Sequence, residues 1–144
     1  MEKKGKVISV DDLKNLTHNR QKKIMLDSIS TLGDVYLVQG IMEKGSEVQV
    51  HIHELEDEIF HVLEGQVELT LGDEKIEGNK GDVIYLPRGV KHGIKTKGEK
   101  TARVLNYVIP GANLEEYFRK MDQLKDPDEE EIEKISLEHK IRFL

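Results

Sequence analysis

Two histidines and a carboxylate crowd into the stretch His51-Ile-His53-Glu-Leu-Glu-Asp-Glu58. The histidines are two residues apart. On a β-strand, where side chains alternate, both therefore point to one face. A carboxylate delivered just afterwards by the next strand can converge on the same point. Two imidazoles and a carboxylate are a good donor set for a divalent transition metal.

The elements that must position these groups read as short strands. Val48–His53 is a strand with Gln49, His51 and His53 on one face and Val48, Val50 and Ile52 on the other. An acidic connection, 54–57, leads to the strand Glu58–Leu63. Before them, Lys6–Val10 reads as an edge strand and 11–19 as a helical turn capped by Asp11, with His18 on a solvated surface. Lys23–Ser28 and Val35–Met42 read as two strands joined through Gly33, with Gly40 marking a bulge or close approach. After them come strands at 66–71, 75–77, 82–86, 92–96 and 102–109, separated by Gly-containing or Pro-containing turns. Helical periodicity is absent until residue 113. Strands at this spacing indicate an all-β sandwich or barrel.

Past Pro110-Gly111 the pattern changes. Asn113 followed by Glu116 is a capping-box arrangement opening a helix to about Met121. Asp126 caps a second helix with Pro127 at its first position. The acidic run 128–131 suits a helix N-terminus better than a calcium site. His139 sits beside the last carbonyls of that helix, and Ile141–Leu144 docks on the barrel or on a partner subunit.

The bulk composition narrows the function classes. The 144 residues fit one domain, 37% of them hydrophobic and 35% charged. A net charge of −6 argues against nucleic-acid and anionic-membrane partners. With no cysteine there is no disulfide, thiolate ligand or cysteine nucleophile. No apolar run approaches a membrane span, no signal peptide is visible, and a cytoplasmic location is the expectation.

Two spaced blocks carry a family resemblance. The first is Gly45, five residues, His51, one, His53, four, Glu58, six, Gly65. After fifteen residues the second runs Gly81, five, Pro87, one, Gly89, two, His92. This resembles the two motifs of the cupin superfamily, and the tail is similar to that of small quercetin dioxygenase-like cupins. Of the combined motif only the final Asn departs, being Thr96 here. The resemblance implies a double-stranded β-helix, or jelly-roll, barrel within 1–111, with a helical extension over 112–144. It adds His92 to His51, His53 and Glu58 as a metal ligand, and it implies a homodimer. Gly65, Gly81 and Gly89 fit turns, and Pro87 fixes the loop that delivers His92.

Neutral imidazoles and a carboxylate would hold Fe, Mn, Ni, Zn, Co or Cu. Three neutral histidines, one carboxylate and a divalent ion leave a net charge of about +1, favouring a small anionic ligand such as an enolate, catecholate or keto acid. Gln49, Phe60 and Ile94 share the faces of the ligands and are expected as pocket walls, with Tyr36 and Tyr85 within reach. His61 is expected on the opposite face from Glu58. Three functions stay open: a dioxygenase-like enzyme; a non-redox isomerase, epimerase or lyase of a sugar or keto acid; and a non-catalytic binding or sensing module. The catalytic residues are not identified at this level.

Overall fold

The computed structural model describes residues 2–10 and 22–144. The expected turn at 11–19 and His18 lie outside the described residues. The order is β1 (Lys22–Leu26), β2 (Tyr36–Met42), β3 (Glu47–His53), β4 (Asp57–Glu64), β5 (Gln66–Leu71), β6 (Glu74–Asn79), β7 (Val83–Leu86), β8 (His92–Lys97), β9 (Ala102–Ile109), α1 (Ala112–Asp122), α2 (Glu129–Glu138) and β10 (Ile141–Phe143). Among the described residues these strands form two antiparallel five-stranded sheets, β1-β2-β9-β4-β7 and β10-β3-β8-β5-β6. The architecture is a mostly-β jelly roll with a helical extension. Among the described residues no helix is long and apolar enough to cross a membrane.

Alternation along β4 and β9 shows why the chain folds this way. Glu58, Phe60 and Val62 are buried, whereas Ile59 and His61 are half-buried on the outer face. Val104 and Val108 turn inward opposite Val62 and Glu58. Between the sheets lies a core of Phe60, Val62, Val67, Leu69, Ile84 and Leu86 with their neighbours. Full burial of such aliphatic side chains stabilises the fold by roughly 1.5–3 kcal/mol each. This apolar layer fills one end of the sandwich and leaves the other end for the histidines.

That other end is closed by the C-terminal extension. Leu114 and Tyr117 of α1 and Ile141 of β10 pack on Tyr36, Val38 and Val108. β10 pairs with β3, setting Ile141 opposite His53 and Phe143 opposite His51. Gly111 makes the sharp entry into α1 possible: a Cβ there would lie 2.4 Å from the Tyr36 backbone nitrogen.

Several local expectations change. Residues 6–10 form no strand; Ile8 and Val10 instead cover Met25, Leu37 and Leu105 on the outer face of the first sheet. Gly40 continues the β2–β9 register without a bulge. Asn113 does not cap α1: the cap is Gly111, and the Asn113 side chain is drawn away to Glu56 and His139. The second helix is capped by Asp128, whose side chain accepts from Glu131 N at 2.8 Å, so Asp126 and Pro127 lie before it.

Candidate metal centre

β3 delivers His51 and His53, β4 delivers Glu58, and β8 delivers His92 as its first residue. All four are buried, and one potential ligand atom from each lies within 4.8 Å of the others. His51 Nε2 is 3.0 Å from His53 Nε2. Glu58 Oε2 is 3.4 Å from His53 Nε2 and 3.0 Å from His92 Nε2.

Backbone and side-chain contacts aim these groups. His51 Nδ1 lies 2.7 Å from the Gln49 carbonyl oxygen. A carbonyl only accepts, so Nδ1 carries the proton and the neutral ring presents its Nε2 lone pair to the cluster. Asn106 Nδ2 donates to Glu58 Oε1 at 3.0 Å, turning Oε2 towards the histidines. His53 Nδ1 faces the buried Glu56 carboxylate at 3.6 Å, and Asn113 Nδ2 donates to the other Glu56 oxygen at 2.6 Å. The loop that carries His92 is tied down twice. Gly89, at φ 81°, donates its N–H to the His53 carbonyl, and Arg88 binds Asp57 through backbone and guanidinium. At the position of the family's Asn, Thr96 Oγ1 donates to the Glu43 carbonyl at 2.9 Å, fixing the turn before β3.

The charge balance follows from burial and neighbours. Burial, then His53 and His92, pushes His51 down to about 4, so it is neutral near pH 7. Burial lowers His53, but Glu58 and Glu56 outweigh it and its pKa rises. Burial raises Glu58, yet His53 and His92 bring it down to about 2. Despite their 3.0 Å approach, Glu58 Oε2 and His92 Nε2 lack hydrogen-bond geometry, and both are buried without a hydrogen bond. Such orphaned polar atoms are costly unless something else binds them. The donor set and these orphans are compatible with a metal site.

The cluster opens into a cavity of about 350 Å³. Its walls are mainly apolar, including Val38, Met42, Phe60, Ile94, Val104 and Phe118. Phe60 and Ile94 thus stand where the strand pattern places them. Gln49 does not reach the cavity. β3 carries an extra residue against β8 between Val48 and His51, and this bulge puts Val48 on the cavity side and leaves Gln49 exposed. Tyr85 is also excluded, since β7 turns Ile84 and Leu86 inward and leaves Tyr85 57% exposed. Tyr36 is buried against Phe118 in the helix-packing cluster and does not line the cavity.

Sequence reasoning missed Asn106, Glu56, Phe143 and Lys22. Asn106 had a signal, being a polar side chain at an inward position of the apolar strand β9. Phe143 lies over His51 with ring centroids 5.2 Å apart, a contact created by the β10–β3 pairing. Lys22 lines the cavity with its ammonium 3.2 Å from the Phe118 ring centroid.

Residues 38–108 match the Cupin domain family, and the chain belongs to the cupin superfamily. It is 38% identical over 69 residues to the uncharacterized protein MJ1618 of Methanocaldococcus jannaschii, covering 48% of this chain and 55% of that one. It is 29% identical over 114 residues to the quercetin 2,3-dioxygenase of Bacillus subtilis, covering 79% of this chain and 32% of the enzyme. The solved structure of KdgF from Halomonas sp. is similar with a TM-score of 0.59 at 26% identity, covering 66% of this chain and 83% of KdgF. The match therefore spans only about half of the first curated relative and a third of the second.

Proposed function

We propose that this cupin is a metal-dependent, dioxygenase-like enzyme acting on a small anionic enol, phenol or keto acid, with His51, His53, Glu58 and His92 as the metal ligands. The observation that carries it is the convergence of the buried atoms Glu58 Oε2 and His92 Nε2, 3.0 Å apart and neither in a hydrogen bond, on the wall of a mainly apolar cavity. The likeness to a quercetin 2,3-dioxygenase over most of this chain supports the choice of reaction class.

A bound divalent ion would supply positive charge to hold an anionic oxygen and, if redox-active, a meeting point for that anion and O₂. The chain's own residues do the rest. The Gln49 carbonyl and Asn106 fix His51 and Glu58 in ligating orientation, which lowers the cost of assembling the site. Phe60, Ile94, Val38 and Val104 exclude water from the space above it. That dry wall strengthens attraction between the cationic centre and an anionic substrate.

The experiment is oxygen uptake by protein loaded separately with Fe(II), Mn(II) or Ni(II) and offered flavonols and catechols. Uptake that depends on metal and substrate is the expected result. No turnover by any loaded form defeats the dioxygenase reading.

A further inference from the structure

The described residues place one lysine or arginine on the cavity wall, Lys22 at the start of β1. It pairs with Gly40 of β2, which also lines the cavity. Gly40 in turn pairs with Val104 of β9, so Lys22 and Val104 flank a position with no side chain, and the space in front of the ammonium stays open. The ammonium lies against the Phe118 ring and makes no hydrogen bond or close ion pair with any described residue. The other carboxylates on the wall, Glu47 and Asp122, are exposed to solvent at the mouth. Burial lowers Lys22 to about 8, opposed by Asp122 and Glu58, so near pH 7 it is mostly charged.

A half-buried ammonium with unused donors, on the wall of a mainly apolar chamber that the proposed cationic centre also lines, is a recognition element for a second negative group. We propose that Lys22 anchors the distal anionic group of the substrate, so that the preferred substrate class is a metal-binding enol or keto acid bearing a second carboxylate or comparable anion. Phe118 sets the direction of the ammonium, and Gly40 leaves the route between the two anchors clear. The inference rests on the proposed metal site.

The test uses the Co(II)-loaded protein, whose visible absorption reports ligands at the metal. It is titrated with 2-oxoglutarate and with 2-oxopentanoate, which share the 2-oxo acid head and chain length and differ in the distal carboxylate. The wild type is expected to bind the diacid about tenfold or more tightly than the monoacid. In Lys22→Met the diacid falls to the monoacid's affinity while the monoacid changes little, and Lys22→Arg keeps the preference. Equal affinities in the wild type, or a Lys22→Met loss shared by both acids, overturn the inference and leave the metal site standing. Spectra that neither acid alters overturn the inference, whereas a Co(II) ion that acquires no protein ligand-field spectrum on loading overturns the metal site beneath it. The wild-type comparison holds whether or not the variants fold.

Discussion

Asn106 Nδ2 donates to Glu58 Oε1 at 3.0 Å, and the opposite oxygen of the same carboxylate is left buried without a hydrogen bond, facing His53 and His92. One side chain of β9 thereby divides the two oxygens of Glu58 between holding the residue in place and serving the cluster. Asn106→Leu keeps the branching of the side chain and removes the donor. Metal affinity is expected to fall by about 10–100-fold, measured by competition with a chromophoric chelator. Unchanged affinity would show that Glu58 is oriented by its strand alone.

The histidines give the metal-free protein a pH signature. His51 lies at about 4 in the fold against its ordinary 6.5, because burial and then His53 and His92 disfavour its charge. Between those values the unfolded chain binds more protons, so stability from this group is present above the window and lost as pH falls through it. The contribution is at most roughly 3 kcal/mol. The raised pKa of His53 acts in the opposite sense, adding stability on the acid side that is lost as pH rises through it. Glu58, depressed to about 2 from 4.5, holds its contribution until pH falls into that lower range. In urea titrations of chelator-stripped protein, His51→Gln is expected to lose less stability than the wild type between pH 6.5 and pH 4. Identical slopes would remove His51 as the source.

The site is also braced from the helices. Asn113 Nδ2 donates both to Glu56 Oε1 and to the His139 carbonyl, joining the carboxylate behind His53 to the end of α2. Asn113→Ala leaves the buried Glu56 oxygen unsatisfied and should cost about 1–3 kcal/mol in denaturant unfolding. It should also weaken metal binding, because Glu56 then no longer holds its place beside His53 Nδ1. A loss of stability with no change in metal affinity would confine Asn113 to helix packing.

The strands and the group His51, His53 and Glu58 were legible because both depend on local pattern, two-residue alternation and glycine turns, while His92 joined them only through the resemblance of two spaced blocks to a known family. What was not legible depends on contacts between distant segments. The bulge in β3 is set by pairing with β8, and one extra residue is enough to exchange Val48 for Gln49 on the cavity wall. Asn113 has the type and spacing of a cap, but Glu56 and the His139 carbonyl, 57 and 26 residues away in sequence, claim its amide. Tyr85 lies on β7 at the edge of its sheet, where only the alternation with Ile84 and Leu86 decides that it faces outward. Lys22 acquires its meaning only when β1 folds against Phe118 of α1.

The central claim is that His51, His53, Glu58 and His92 hold one transition metal. Its most direct test is elemental analysis of protein purified without added metal and without a metal-affinity resin. The account predicts about one transition-metal ion per chain in the wild type, lost in His51→Ala and in His92→Ala. Full metal occupancy in both variants would contradict it.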